Sequence, residues 1–179
     1  MTDIDKNKKE FKKKRSALKK EAPEFDQQII DVARVTRVMA GGKRMRFRVC
    51  LVIGDKKGRV GAGIAKGADV TMAVQKAYRK AEKNLIRVPI SRDTIPHEIR
   101  VKIGASKILL KPAPVGTGVI SGGAVRHVLD LAGIKNVVSK ILGTNNKINN
   151  VKATIKALSM LTTTKKEIKD AKFEKPENK

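Results

Sequence analysis

The segment VCLVIGDKKGRVGAGIAKG, Val49–Gly67, limits the fold more than any other stretch of the chain. An apolar run from Val49 to Ile53 meets Gly54-Asp55-Lys56-Lys57-Gly58, and a second strand-like run begins at Arg59. Two apolar runs joined by a short linker containing Gly and Asp specify a β-hairpin. A β-rich run, Val32–Ala40, precedes it and closes on Gly41-Gly42. Beyond it, Asp69 stands as an N-cap ahead of Val70, Ala73, Val74, Ala77, Tyr78, Ala81 and Leu85. That three- and four-residue spacing is one face of an amphipathic helix, predicted from Val70 to Ile86. The unit expected is a three-stranded sheet followed by one helix packed on one side.

The chain after Pro89 and the turn Ser91-Arg92-Asp93-Thr94 follows another order. Extended runs at Glu98–Ile103 and Lys107–Lys111 flank Gly104-Ala105-Ser106, which predicts a second hairpin. Gly116, Gly118, Gly122 and Gly123 lead into a helix with Val125, Val128, Leu129 and Ala132 on one face, stopped by Gly133. Ile134–Leu142 is a strand candidate and Gly143–Asn149 a loop. A last helix from Asn149 to Leu161 carries Val151, Ile155, Leu158 and Leu161 as its stripe. The class is α+β, with no internal repeat. Two small domains are expected at 28–92 and 93–162, between a basic arm, 1–27, and a charged tail, 163–179.

The formal net charge of +24 narrows the partners. Residues 32–100 carry 17 basic side chains against 5 acidic ones, and residues 101–163 carry 9 against Asp130 alone. A cation excess on the segments that look folded suits nucleic acid met by folded surfaces rather than by a tail. Arg44, Arg46 and Arg48 share one strand face while Met45 and Phe47 share the other. Three guanidinium groups with no interleaved acid form a comb for phosphate oxygens. Aromatic residues are only 3% and Trp is absent, so the stacking platforms of single-strand readers are scarce. Structured RNA, read through its backbone and shape, is the expected partner.

Other classes fit poorly. No run approaches the roughly 20 apolar residues of a membrane span, and the first residues show no apolar core of a secretory signal. A cytoplasmic protein without membrane contact is expected. Cys50 stands alone in an apolar run, which predicts neither disulfides nor a zinc site. Gly-rich loops before helices cradle phosphates. However, GTGVISGGAVR completes neither a P-loop nor G-x-G-x-x-G. His127 with Asp130 has no nucleophile beside it, and His97 belongs to no constellation. No catalysis, cofactor, metal or small-molecule substrate is expected. Two alternatives remain at this point: a free-standing double-stranded-RNA-binding regulator, and a kinase-like βα enzyme needing a completed phosphate loop and a metal-binding acid.

Four blocks carry a resemblance. VARVTRVMAGGKRMRF, VIGDKKGRVGAGIAKG, ILLKPAPVGTGVISGGAVRHVLDLAGIKNV and NNVKATIKALSML together resemble the bacterial small-subunit ribosomal protein S5 family, in order, over roughly residues 28–161. The resemblance implies an N-terminal half similar to a double-stranded-RNA-binding domain and a C-terminal βα half shared with other ribosomal and kinase-like domains. It implies a non-catalytic constituent of the small ribosomal subunit that binds folded 16S ribosomal RNA and supports assembly and decoding accuracy. It also implies small-subunit ribosomal proteins four and eight as partners, with the path by which messenger RNA enters nearby. The RNA-binding residues expected are Arg34, Arg37, Gly41, Gly42, Lys43, Arg44, Arg46, Arg48, Lys56, Lys57, Arg59, Lys66, Lys107 and Lys111. The family's loop near the spectinomycin site corresponds to Val35–Lys43, with Val35, Thr36 and Arg37 as its matched positions. The accuracy positions at the interface with protein four match Gly118 and Arg126. Ala40 stands where many members have Lys, and Ala65 and Ala68 replace a Gly and an Arg.

Overall fold

The hairpin at Val49–Gly67 forms the middle of a four-stranded antiparallel sheet: β1 (Asp26–Met39), β2 (Gly42–Gly54), β3 (Arg59–Gly67) and β4 (Ile86–Arg87), in that spatial order. Helix α1 (Val70–Lys83) packs on one face. The second half contains β5 (Ile99–Ile103), β6 (Ser106–Pro112), β7 (Val119–Ile120), α2 (Gly123–Ala132), β8 (Val137–Ile141) and α3 (Lys147–Ser159). Its sheet has the order β5-β6-β8-β7, with β7 parallel to β8 and the other pairs antiparallel. This computed structural model describes residues 24–162. The expectations for the first 23 residues and for the tail from 163 lie outside the described residues.

Several boundaries differ from expectation for local reasons. β1 starts at Asp26, well before Val32, and its register shifts between Ile29 and Asp31. That bulge breaks the alternation that marks a strand in sequence. Phe25, peripheral by sequence, is 4% exposed and belongs to the core under α1. Helix α1 has the Asp69 cap, whose carboxylate accepts from Val70 N and from Thr71 Oγ1. It ends at Lys83 rather than Ile86 because Ile86 and Arg87 pair with Val60 and Arg59 as a fourth strand. Helix α3 starts earlier than expected, at Lys147, because Asn146 Oδ1 accepts from Ile148 N and Asn149 N. β7, only two residues long, had no sequence signal.

The unbroken apolar run of β2 is explained by burial on both faces. Val49, Leu51 and Ile53 pack with Ala73, Ala77 and Ala81 of α1. Cys50 and Val52 point the other way, into a core shared with Val125, Val128 and Leu129 of α2 and Val151 and Leu158 of α3. The side chains opposite α1 are small as well. A Cβ at Gly63 would collide with the Ala77 carbonyl, and one at Gly61 with that of Ala81. Helix and sheet therefore meet backbone to backbone, which lets small side chains close a core almost without aromatic rings.

The turn of the hairpin joins the two halves. Lys56 N donates to Leu131 O at 3.0 Å and Gly58 N donates to Ala132 O at 2.9 Å. These acceptors are last-turn carbonyls of α2, which have no partner within their own helix. Gly133, at φ +85°, ends that helix, and its N–H bonds back to Leu129 O and Asp130 O. A side chain there would strike Lys56 O, and one at Gly54 would strike Leu131 O.

Gly63→Ala is expected to destabilise the protein by about 1–3 kcal/mol, the cost of overpacking a closed seam. The measurement is the urea midpoint at unchanged m-value. An unshifted midpoint would mean that α1 can slide away from β3 freely.

Candidate nucleic-acid interface

β1 and β2 run on together past the end of β3. Their pairing extends from Asp26 opposite Gly54 to Met39 opposite Gly42, whereas β3 follows β2 only as far as Phe47. Val35–Met39 and Gly42–Arg46 thus bond only to each other and form a two-stranded ribbon about 17 Å long, at roughly 3.4 Å per residue. Ala40 and Gly41 make its turn, and Gly41 takes φ +82°. An isolated hairpin of this kind is marginal in water, and here the buried sheet that continues it supplies the order.

Register decides which side chains share a face. Arg37 lies opposite Arg44, Val35 opposite Arg46, Ala33 opposite Arg48, and Lys66 opposite Arg48 from the other side. Arg37, Arg44, Arg46, Arg48 and Lys66 therefore stand on one face. Val35, Thr36, Arg37, Met39, Arg44, Arg46 and Lys66 line a shallow groove of about 280 Å³ there. Arg44, Arg46 and Arg48 share one face, and the row of cations on that face is wider than alternation gives. Arg37 and Lys66 join it through cross-strand register, which one-dimensional alternation does not reveal. Arg34 and Lys43 fall on the opposite face, beside Phe47 and Val38. Met45, on the face opposite the arginines as expected, is 49% exposed and Val38 is 72% exposed, because α1 ends its cover before the ribbon begins.

Carboxylates divide the expected RNA-binding cations into two groups. Lys56 Nζ is 2.7 Å from Asp26 Oδ2, Arg59 reaches Asp55 at 2.7 Å and Glu24 at 3.2 Å, and Lys111 is 3.4 Å from Glu98. Arg34, Arg37, Lys43, Arg44, Arg46, Arg48 and Lys66 form no ion pair with any described carboxylate. Arg48 Nε is buried and unpartnered among the described residues. The Lys56–Arg59 turn sits at the opposite end of β2 from the ribbon and belongs to the structural junction. Asp55 organises it by accepting from Lys57 N, Arg59 N and Arg59 Nε. Burial alone would raise the Asp55 carboxyl, but the bonds from Arg59 and Lys57 outweigh it and hold the group below its ordinary 3.8. Lys107 stands opposite Lys102 on the open face of the second sheet, away from the helices.

Gly118 lies just before β7 with φ +74°, and among the described residues none beyond its two chain neighbours is within 4 Å of where its Cβ would be. Backbone conformation, not space, calls for glycine here, and the open side leaves room for a neighbour. The residue that holds this loop was not anticipated. Buried Asn136 accepts from Gly116 N at 3.0 Å and Gly118 N at 3.2 Å through Oδ1. A lone Asn ahead of a strand carries no sequence signal for that work. Arg126, on the first turns of α2, is exposed and only loosely paired with Asp130 at 3.8 Å. Asp130 thus faces Arg126 and makes no hydrogen bond to His127. Among the described residues no group of His, Cys, Asp and Glu could hold a metal ion, and no helix is long and apolar enough to cross a membrane.

Residues 25–89 match the family profile of ribosomal protein S5, N-terminal domain, and residues 101–172 match that of its C-terminal domain. A small ribosomal subunit protein uS5 from Chloroflexus aurantiacus is 46% identical over 150 residues, covering 84% of each chain. One from Campylobacter jejuni is 50% identical over 138 residues, 77% of this chain and 94% of that one. The chain belongs to the ribosomal protein S5 family. Members are structural components of the small ribosomal subunit, without enzymatic activity. The α+β reading with two different halves holds for this S5 chain, and the kinase-like alternative falls with the family assignment.

Asp55→Asn is expected to cost about 1–3 kcal/mol at pH 7, the range for hydrogen bonds to a charged group. A carboxyl lowered by folding adds stability above its ordinary 3.8, and that stability is lost as pH falls through the lower native value. Wild type and variant should therefore converge in acid-range thermal melts. A gap that stays constant below pH 3.8 would show that the charge on Asp55 is irrelevant.

Proposed function

We propose that this S5 protein is held in the small subunit of the cytoplasmic ribosome by folded 16S ribosomal RNA, with the β1–β2 ribbon as its main anchor. The observation that carries this reading is the row Arg37, Arg44, Arg46, Arg48 and Lys66, on one face and without a described carboxylate. A row of guanidinium groups at strand spacing matches a phosphate backbone, and each Arg can engage it bidentately. The ribbon face needs no base stacking, which suits a chain so poor in aromatic residues. Val35, Thr36 and Arg37 line the same groove, so the loop compared with the family's spectinomycin region and the comb form one surface. Lys107 and Lys111 would add a weaker contact from the second sheet.

Gly118 and Arg126 are assigned to a protein interface that tunes decoding accuracy, with small-subunit protein four as the neighbour. Protein eight and the path of incoming messenger RNA complete the surroundings. The exposed Arg126 of α2 and the open space where a Gly118 side chain would stand support this assignment. We divide the chain into an RNA-anchoring domain, 28–92, and a neighbour-contacting domain, 93–162, joined by the α2 junction.

Arg44→Ala with Arg46→Ala is expected to weaken binding to small-subunit ribosomal RNA. The slope of log K against log salt should fall by about 2, near one per lost phosphate contact. An unchanged slope would remove the ribbon from the interface. Arg126→Ala should leave the melting temperature of the free protein within about 1 °C, since an exposed ion pair contributes little. It should alter misreading in a translation reporter, and wild-type accuracy would reject the interface assignment.

A further inference from the structure

Two of the cross-strand pairs on the ribbon face join like charges. Arg37 is directly opposite Arg44, and Arg48 is directly opposite Lys66. Directly opposed side chains have Cβ atoms about 4.5–5.5 Å apart, and like charges in that position destabilise a sheet. Nothing described in the chain relieves them: none of the four makes an ion pair, and Arg48 Nε is buried without an acceptor. Elsewhere carboxylates stand against some exposed cations, Lys56, Arg59, Lys111, Lys135 and Lys147 among them, while others such as Arg79 and Lys107 have no described carboxylate. A third such pair, Lys102 opposite Lys107 on the second sheet, also lacks a described carboxylate, and the ribbon groove differs from it in holding two opposed pairs with Arg46 between them.

Opposed guanidinium groups are two donors set for one acceptor. A tetrahedral oxyanion between them takes hydrogen bonds from both and cancels their repulsion. Positions two apart on a strand are about 7 Å apart, so the Arg44 and Arg48 rows are separated by about 13 Å, with Arg46 between them. We propose that the ribbon holds two defined seats for backbone phosphates, one between Arg37 and Arg44 and one among Arg46, Arg48 and Lys66. The unliganded protein is less stable than its fold allows because both seats stand empty of anion. This rests on the RNA-binding reading above and sharpens it: the contact becomes two fixed phosphate positions rather than a diffuse basic surface.

Inorganic sulfate serves as the probe for a single seat. Full-length protein is melted in chloride, then with millimolar sulfate replacing chloride at constant ionic strength. Sulfate should raise the wild-type midpoint. Arg37→Gln and Arg44→Gln should each raise the midpoint in sulfate-free, low-salt buffer by about 1–3 °C, by removing the opposed charge. Each should also lower the sulfate increment by about half, leaving the part that belongs to the Arg46, Arg48 and Lys66 seat. Arg79→Gln, an exposed cation of α1 away from the ribbon, controls for the simple loss of one positive charge. Equal behaviour of all three variants, or a sulfate increment of full wild-type size in Arg37→Gln and Arg44→Gln, would overturn the seats. The same variants are then titrated with small-subunit ribosomal RNA, where each should lower the salt slope by about 1. A reduced sulfate response with an intact RNA slope would overturn phosphate of RNA as the occupant, and the ribbon anchor with it. A lowered RNA slope with no sulfate effect would reject only the paired seats.

Discussion

The contact on which the rest of the structure depends is the docking of the Asp55–Gly58 turn on the C-terminal end of α2. Two backbone N–H groups of the turn, from Lys56 and Gly58, satisfy carbonyls that a helix end otherwise leaves to water. One short turn thereby fixes three things: the angle of the β2–β3 hairpin, the end of α2, and the position of the second half over the free face of the first sheet. Gly54 and Gly133 stand where the two backbones approach most closely. Asp55 keeps the turn in shape from within, with its carboxylate engaged by Arg59 and Lys57. Cations at this end of β2 thus serve the fold, while those at the far end pair with no described carboxylate.

That separation gives a physical basis for sorting a strongly basic surface. A net charge of +24 by itself says only that an anionic partner is near. Neutralisation within the chain says where the partner is not needed. Lys56, Arg59 and Lys111 have local acids, and such exposed pairs contribute little stability. The ribbon has none described, and its charges are aligned by a sheet that is rigid because both of its faces are buried further along. Rigid presentation matters because flexible cations lose conformational entropy when they bind.

Much of this was legible in the sequence. The Val49–Gly67 hairpin, the Asp69 cap, the Gly133 stop and the stripes of all three helices could be read from local pattern, since each is set by residues close in the chain. The bulge after Ile29, the pairing of Ile86-Arg87 and the two-residue β7 could not, since each depends on a strand brought in from elsewhere. The site divides likewise. Alternation alone placed Arg44, Arg46 and Arg48 together, but Arg37 and Lys66 join them only through register. The exposure of Met45 was not legible because alternation says which face a side chain shares, not how far the covering helix reaches. Asn136 went unnoticed because its partners are backbone amides 18 and 20 residues away.

Cys50 gives the junction between the two halves a chemical marker. It is fully buried on the face of β2 that meets α2 and α3. Burial first, and then the charge of Asp31, push its thiol up to about 11. In the closed molecule it is therefore neutral and shielded, although it is the only sulfhydryl in the chain. A thiol reagent reacts only when the second half lifts from the sheet, since reactivity requires both access and ionisation. Its labelling rate thus measures how often the two halves part.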